Sequence, residues 1–358
     1  MTSHQICRKW IELGQIRRLN NPPASGGYNA GVHDFQAFSI PISGVIALGV
    51  AWIIASGRVP APVAQSNARS LHVRPVPRIG GIAIWAGWLV AWAATPVSWR
   101  WVVPFALVLA VSLIDDFRPL PAGARLLTHA LAAIGAAALF LDESGALLVF
   151  PVLAMVWMAN LYNFMDGADG MAGAMGLFGF GTYAVAAAIA GPGHVDFAFQ
   201  NAALAAACAG FLLFNLPPAR LFMGDVGAVP LGFIAGLFGL QGHSAGIWPW
   251  WFPLLVFAPF ILDATATLMR RLGRRAPLAD AHRDHFYQRA ILIDGAHGRT
   301  VYTYGGWMAL CATLALAGMR WAPELGELML ASVSAGFGWY CRAIERRWAV
   351  RFEMHHAG

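Results

Sequence analysis

Apolar runs approaching the ~20 residues needed to cross a bilayer recur along the whole of this chain. A sequence built that way has few folds open to it. In lipid every backbone N–H and C=O must be satisfied internally, so the choice is a helical bundle or a closed barrel. Barrel strands alternate over about ten residues, and these runs do not alternate. Composition agrees: 58% of the 358 residues are hydrophobic and only 12% are charged, with a mean hydropathy of +0.57. An average soluble protein is about 25% charged. The expected fold class is therefore an all-α polytopic membrane protein.

About eleven transmembrane helices are expected, at 37–56, 80–97, 101–115, 125–141, 146–160, 172–190, 197–214, 227–242, 246–266, 302–320 and 326–343. The third is short, which fits a helix whose inner end opens onto a polar cavity. No soluble domain is inserted, and the lack of a convincing internal repeat counts against an inverted-repeat transporter. Residues 37–345 read as one transmembrane domain, 1–36 as an N-terminal extension and 346–358 as a cytoplasmic tail.

The net charge of +6 is not read as nucleic-acid binding, because basic residues at helix ends set orientation and meet anionic lipid. Lys9 is the one lysine among the basic residues, a bias toward arginine that carries no chemistry. With the loop after the first span in the cytoplasm, that face collects Arg58, Arg69, Arg74, Arg78, Arg118, Arg125, Arg220 and the arginines of 267–300 and of the C-terminus. The opposite loops keep Arg100 and Arg320. Trp99, Trp101, Trp248, Trp250, Trp251 and Trp321 then fall at outer helix ends, as an aromatic belt. The first 36 residues carry Arg8, Lys9, Arg17 and Arg18 on the wrong side for this topology. They read as disordered or surface-lying, or as lying ahead of the true start. No cleavable signal peptide is read. Cys7, Cys208, Cys311 and Cys341 are scattered, which argues against a disulfide or thiolate metal site.

The carboxylates gather on one side. Asp115, Asp116, Asp166, Asp169, Asp225, Asp263, Asp280 and Asp284 all fall on or near the cytoplasmic face. Ionisable groups beside membrane spans are costly and are functional candidates by default. In "LIDDFRPL", Asp115 and Asp116 end an apolar run, and two adjacent carboxylates repel unless a cation sits between them. A divalent metal resolves that, and so does a helix end paired with Arg118. In "LFMGDVGAVPLG", Asp225 is placed either to cap the next span or to bind a metal at its N-terminus.

"NLYNFMDGADGMAG" sets Asn160, Asn163, Asp166 and Asp169 three residues apart. On a continuous helix such steps drift by about 60° each, so one straight helix cannot aim all four at one point. Gly167 and Gly170 predict a helix that enters and then turns. The segment lacks the twelve-residue spacing and closing Glu of a calcium loop. In "MRRLGRRAPLADAHRDHFYQRAIL", His282, Arg283 and His285 stand close, with Arg289 one helical turn on, a set able to bind phosphate or lipid headgroups. "SNARSLHVRPVPRIGG" is a stiff basic loop, serving orientation or carrying Arg78 over an anionic substrate.

Taken in order, "RSLHVRPVPRIGG", "LIDDFRPLP", "NLYNFMDGADGMAG", "RLFMGDVGAVPLG" and "HRDHFYQR" resemble the polyprenyl-phosphate N-acetylhexosamine-1-phosphate transferase family. The last piece resembles the branch that starts O-antigen, enterobacterial-common-antigen-like and teichoic-acid glycans. The peptidoglycan-precursor branch usually has a run of histidines there. The resemblance implies a single catalytic domain in the bacterial inner membrane with its active site on the cytoplasmic face. It implies transfer of sugar 1-phosphate from a UDP-N-acetylhexosamine to undecaprenyl phosphate with release of UMP, a requirement for Mg²⁺ or Mn²⁺, and a homodimer. By position it implies Asp225 as metal ligand, Asp116 on the metal side and Asp115 as the carboxylate that orients or deprotonates the lipid phosphate. Asn163, Asp166 and Asp169 fall to the nucleotide-sugar pocket, Asp169 toward the uracil, with Phe222 stacking on the base and His282, Arg283 and His285 in phosphate contact, while Asn160 and Arg78 are substrate contacts on the reading of the residues themselves. Ala228 departs from the serine common after "GDVG", which weakens a hydroxyl contact there. Direct attack by the lipid phosphate is favoured over a covalent aspartyl intermediate. A transporter or flippase is the rival from another class, and donors carrying GlcNAc, QuiNAc or FucNAc stay open.

Overall fold

The computed structural model describes residues 30–64, 76–140, 148–276 and 283–353. Thirteen α-helices run through them, and each expected apolar segment falls on a helix. They are α1 (Ala30–Ala55), α2 (Gly81–Ala94), α3 (Trp99–Phe117), α4 (Ala122–Phe140), α5 (Val149–Met165), α6 (Met171–Ala190) and α7 (Val195–Asn215). Then come α8 (Asp225–Ser244), α9 (Trp251–Val256), α10 (Ala258–Gly273), α11 (Phe286–Asp294), α12 (His297–Trp321) and α13 (Gly326–Trp348). Gln36–Ala55, α6, Pro192–Asn215 and α8 are each long and apolar enough to cross a membrane. The chain is an all-α membrane protein.

Strand pairing among the described residues is one antiparallel step, Val63 to Pro77 and Ala64 to Val76. It brings the segment after α1 back toward the bundle. From there Phe222 N–H donates to Pro77 O at 2.8 Å, and Gly80 and Gly81 N–H donate to Phe222 O and Met223 O at 2.8 Å each. The loop carrying Arg78 is thereby strapped to the loop that precedes α8.

Residues 36–358 form one unit. Inside it α8 packs against α3 and α5, and α7 against α2 and α6. Small residues make this possible. A Cβ on Gly81 would lie 2.2 Å from Gly227 Cα, and one on Gly232 would lie 2.3 Å from Met158 O. Those backbones approach more closely than any side chain allows, the usual device of packed membrane helices.

Several expectations need correcting. The third span is not short, since α3 runs from Trp99 to Phe117. The ninth is two helices, α9 and α10, meeting at Phe257. Pro259 lies at the start of α10, where it lacks an N–H and its ring would clash with the carbonyl four residues back. The aromatic belt is half right: Trp99, Trp250 and Trp321 are exposed, whereas Trp101, Trp248 and Trp251 are buried. Trp101 stacks on Trp88 at 5.5 Å and Trp248 on Tyr183 at 4.7 Å. A Cβ on Gly242 would overlap the Trp248 ring, and one on Gly326 the Trp251 ring. Nor does a tail begin at 346. α13 continues to Trp348 and then turns, with Arg347 paired to Asp294 at 2.5 Å and Arg289 over the Trp348 ring at 4.8 Å.

Candidate active site

One end of the bundle holds a cavity of about 620 Å³. Its lining includes Arg78, Asp115, Arg125, His129, Asn160, Asn163, Asp166, Phe222, Asp225 and His285. Every one of these comes from a helix end or from a turn between helices, except His129 about two turns into α4.

The Asn160–Asp169 segment folds as its glycines predict. α5 ends at Met165, and Gly170 takes φ +77° before α6 starts. Asn160 and Asn163 stay on the last turns of α5, while Asp166 and Asp169 part company in the turn. Asp166 faces the cavity. Asp169 is buried, turns away from the cavity and accepts from Ala219 N–H at 3.0 Å, with His297 Nδ1 at 3.5 Å. Gly170 N–H donates to Asn215 Oδ1 at 3.0 Å, and Asn215 in turn donates to Leu221 O at 2.9 Å. Asp169 thus ties this turn to the loop leading into α8. Tyr287, from the HRDHFYQR segment, ties it on the other side by donating to Phe164 O at 3.0 Å. A Cβ at Gly167 would sit 2.1 Å from that phenol oxygen.

The adjacent carboxylates of α3 have different partners, and neither expected partner is Arg118. Asp115 accepts from Leu120 N–H at 2.5 Å and from Arg125 Nη1 at 2.9 Å. The same Nη1 lies 3.3 Å from Asp225 Oδ2, so one guanidinium bridges Asp115 and Asp225. Asp116 is turned into the protein. Its Oδ1 accepts from Arg78 Nη2 at 2.9 Å and from Asp225 N–H at 3.1 Å, and its Oδ2 from Val226 N–H at 2.8 Å.

That last set explains how α8 begins. Gly224 precedes it with φ +73° and no side chain to cap with. A Cβ there would meet Arg78 O at 2.1 Å and Asp116 Oδ2 at 2.7 Å. Asp225 is the first helical residue and not the cap. Asp116 supplies the cap from another helix, where a negative charge meets the free N–H groups and the helix dipole. Asp116, expected among the metal ligands, instead sets the start of α8 and so the place of Asp225.

Asp166 lies beyond the end of α5. Burial, with the negative charges of Asp225, Asp116 and Asp169, pushes its carboxyl well above the usual carboxylate range, and Arg78 opposes that. Such a site favours an added cation. Among the described residues no three His, Cys, Asp or Glu side chains form a group able to hold a metal by themselves. Mg²⁺ is commonly held by one or two carboxylates plus substrate phosphates. Asp225, with Asp115 or Asp166 beside the same cavity, is a donor set of that kind.

The three residues expected to contact phosphate lie in different places. His285 lines the cavity, Arg283 does not line it, and His282 lies outside the described residues. Asp284 pairs with Arg271 and Arg289. What holds His285 is Asp263, fully buried on α10. It lies 3.2 Å from His285 Nδ1, accepts from Phe286 and Tyr287 N–H at 3.1 and 3.0 Å, and also from the Tyr304 hydroxyl.

Reasoning from sequence missed three residues as parts of the site. Arg125 and His129 lie four apart on α4, one face of a helix, and were counted only as orientation charge or not at all. Asp263 was noted for its side of the membrane, yet an ionisable residue in an apolar run was the available signal.

Comparison with known proteins fits this geometry. The family model described as glycosyl transferase family 4 matches residues 98–243, which include Asp115, Asn163, Asp166 and Asp225. Over this stretch the chain is similar to glycosyl transferase family 4. It is 27% identical over 260 residues to the probable undecaprenyl-phosphate N-acetylglucosaminyl 1-phosphate transferase of Bacillus subtilis, covering 67% of this chain and 72% of that protein. It is 29% identical over 305 residues to the decaprenyl-phosphate N-acetylglucosaminephosphotransferase of Mycolicibacterium smegmatis, covering 70% and 73%. A shorter match, 30% identical over 178 residues, joins it to the phospho-N-acetylmuramoyl-pentapeptide-transferase of Symbiobacterium thermophilum, covering 47% and 50%.

This similarity makes the role of Asp116 testable. Asp116→Asn should lower transferase activity nearly as far as Asp116→Ala, roughly 10–100-fold, as for other residues that hold a ligand in place. An amide presents one acceptor oxygen where Arg78, Asp225 N–H and Val226 N–H need two. Steady-state rates of the two variants decide it. Asparagine at near wild-type rate would show that the cap is not needed.

Proposed function

We propose that this transferase moves N-acetylhexosamine 1-phosphate from a UDP-sugar to undecaprenyl phosphate. The products are undecaprenyl-diphosphate-sugar and UMP, and the step starts a cell-surface glycan of the O-antigen kind at the cytoplasmic face of a bacterial inner membrane. The observation that carries this is the cavity itself. Three carboxylates, Asp115, Asp166 and Asp225, and two arginines, Arg78 and Arg125, line one space at one end of an apolar bundle. Phosphoryl transfer asks for positioning and charge neutralisation more than for covalent help. A site for transport would carry polar groups deep along several helices.

In the reaction a lipid phosphate oxygen attacks the sugar-bearing phosphorus of the donor, and the bond to the UMP oxygen breaks. Asp115, at the end of α3, is placed to orient the lipid phosphate or take its proton. Asn160 is held by donating to Val156 O at 2.7 Å, with His129 Nδ1 at 3.4 Å, so it offers a fixed amide to the donor, and Asn163 lines the same cavity. Phe222 borders the same space and offers a face to the uracil. Asp225, with Asp115 or Asp166, would hold Mg²⁺ or Mn²⁺, which supplies charge neutralisation of the diphosphate. Both relatives with the longer matches are named for N-acetylglucosamine, which makes UDP-GlcNAc the first donor to try.

The test is UMP release by purified protein given undecaprenyl phosphate, Mg²⁺ and a panel of UDP-N-acetylhexosamines. Release that depends on the lipid supports the reading and names the sugar. Activity with UDP-MurNAc-pentapeptide alone would transfer the assignment to the peptidoglycan branch, and lipid transport without UMP release would replace it with a flippase. Chelation by EDTA should abolish release, and excess Mg²⁺ should restore it. Full activity in the chelator would remove the metal from the proposal.

A further inference from the structure

The geometry points to Arg125 as a built-in cation that clasps Asp115 and Asp225 until a divalent ion arrives, and then pairs with the donor diphosphate. This rests on the transferase reading above. One nitrogen, Nη1, lies 2.9 Å from Asp115 Oδ2 and 3.3 Å from Asp225 Oδ2. That is the ground a divalent ion on Asp225 would need, since Mg²⁺ binds oxygen at about 2.0–2.1 Å. Two cations cannot share it cheaply in a site of low dielectric.

Of the two arginines that line the cavity, Arg125 is the one able to leave. Arg78 sends both Nε and Nη2 to Asp116, and its backbone N–H and C=O are packed between Pro62 and Gly224. Arg125 reaches the carboxylates by a single terminal nitrogen, from the first turn of α4. Leu126 and His129, on the same helix, also line the cavity. A guanidinium swung off Asp225 therefore stays within the cavity, where its planar fork suits two phosphate oxygens. Arg125 is a positioning residue for the ion and a binding residue for the donor.

The test measures Mn²⁺ binding by electron paramagnetic resonance in the full-length protein without lipid or nucleotide, alongside KM for the donor. Arg125→Gln should bind Mn²⁺ more tightly, on the order of tenfold, because the competing charge is gone. Its KM for the UDP-sugar should rise by a similar factor. Arg125→Lys, which keeps the charge without the fork, should bind Mn²⁺ as wild type does while its KM still rises, and it gives a second reading if the glutamine variant folds poorly. Unchanged or weaker Mn²⁺ binding in Arg125→Gln would overturn the clasp, as would an unchanged KM in both variants. Failure of the transferase reading shows separately, as no UMP release by wild type with any donor.

Discussion

Replacing Asp225 by asparagine should lower transfer by about a hundred- to a thousandfold, the scale seen when a preorganised electrostatic contact is lost, while the bundle stays folded. The two halves of that expectation have different causes. The fold should survive because α8 does not depend on the Asp225 side chain for its start. Its first N–H groups go to Asp116, and Gly224 makes the turn. Asparagine fills the same volume, and what it weakens is the 3.3 Å contact with Arg125 and the one with the Asp115 carboxyl. Activity should not survive because the side chain faces the cavity and its charge is what a divalent ion would bind. UMP release measures the first half, and size-exclusion chromatography with far-UV circular dichroism the second. A folded variant with wild-type turnover would take Asp225 out of the site and with it the assignment of the metal.

How much of this was legible in the sequence follows from what each signal depends on. Apolar runs are local, so each expected segment falls on a helix. The break at Phe257 was also local, written in Pro259, but an unbroken hydropathy profile hid it. The tryptophans show the opposite case. Trp101, Trp248 and Trp251 sit near helix ends, as belt residues do, yet what buries them is partly far away in sequence, Trp88 for one and Gly326 for another. Carboxylates stood out because ionisable groups are rare in such a chain. Their directions did not. Asp115 and Asp116 are neighbours on one helix, some 100° apart around it. That angle sends one to the cavity and the other to the N-terminus of α8. Asp166 and Asp169 are separated in the same way by a glycine turn. Arg125 was hidden among arginines that set orientation, and nothing short of the folded contact between α4 and α8 tells a clasp from a topology charge.

Asp263→Ala should be the most damaging single change to the fold of the site, costing about 3–5 kcal/mol, as when one partner of a buried charged network is removed. Asp263 is 0% exposed. It accepts from two backbone N–H groups at the start of α11 and from the hydroxyls of Tyr304 and, at 3.3 Å, Thr267, and it lies against His285. Removing it leaves those donors buried and unmet, each at about 1–3 kcal/mol before relaxation. The start of α11 would come loose, and α11 carries Tyr287, which holds the Asp166 turn, as well as His285. Damage should therefore spread to a carboxylate that Asp263 never touches. In detergent the apparent Tm should fall by about 10 °C, and donor KM and turnover should worsen together. Asp263→Asn separates the causes. Its single carbonyl oxygen can keep one backbone N–H but not both, so it should lie between alanine and wild type in Tm. If asparagine matches wild type in both Tm and turnover, the charge of Asp263 is not what anchors α11, and the ring of His285 must be held from the side of Phe164, 6.0 Å away.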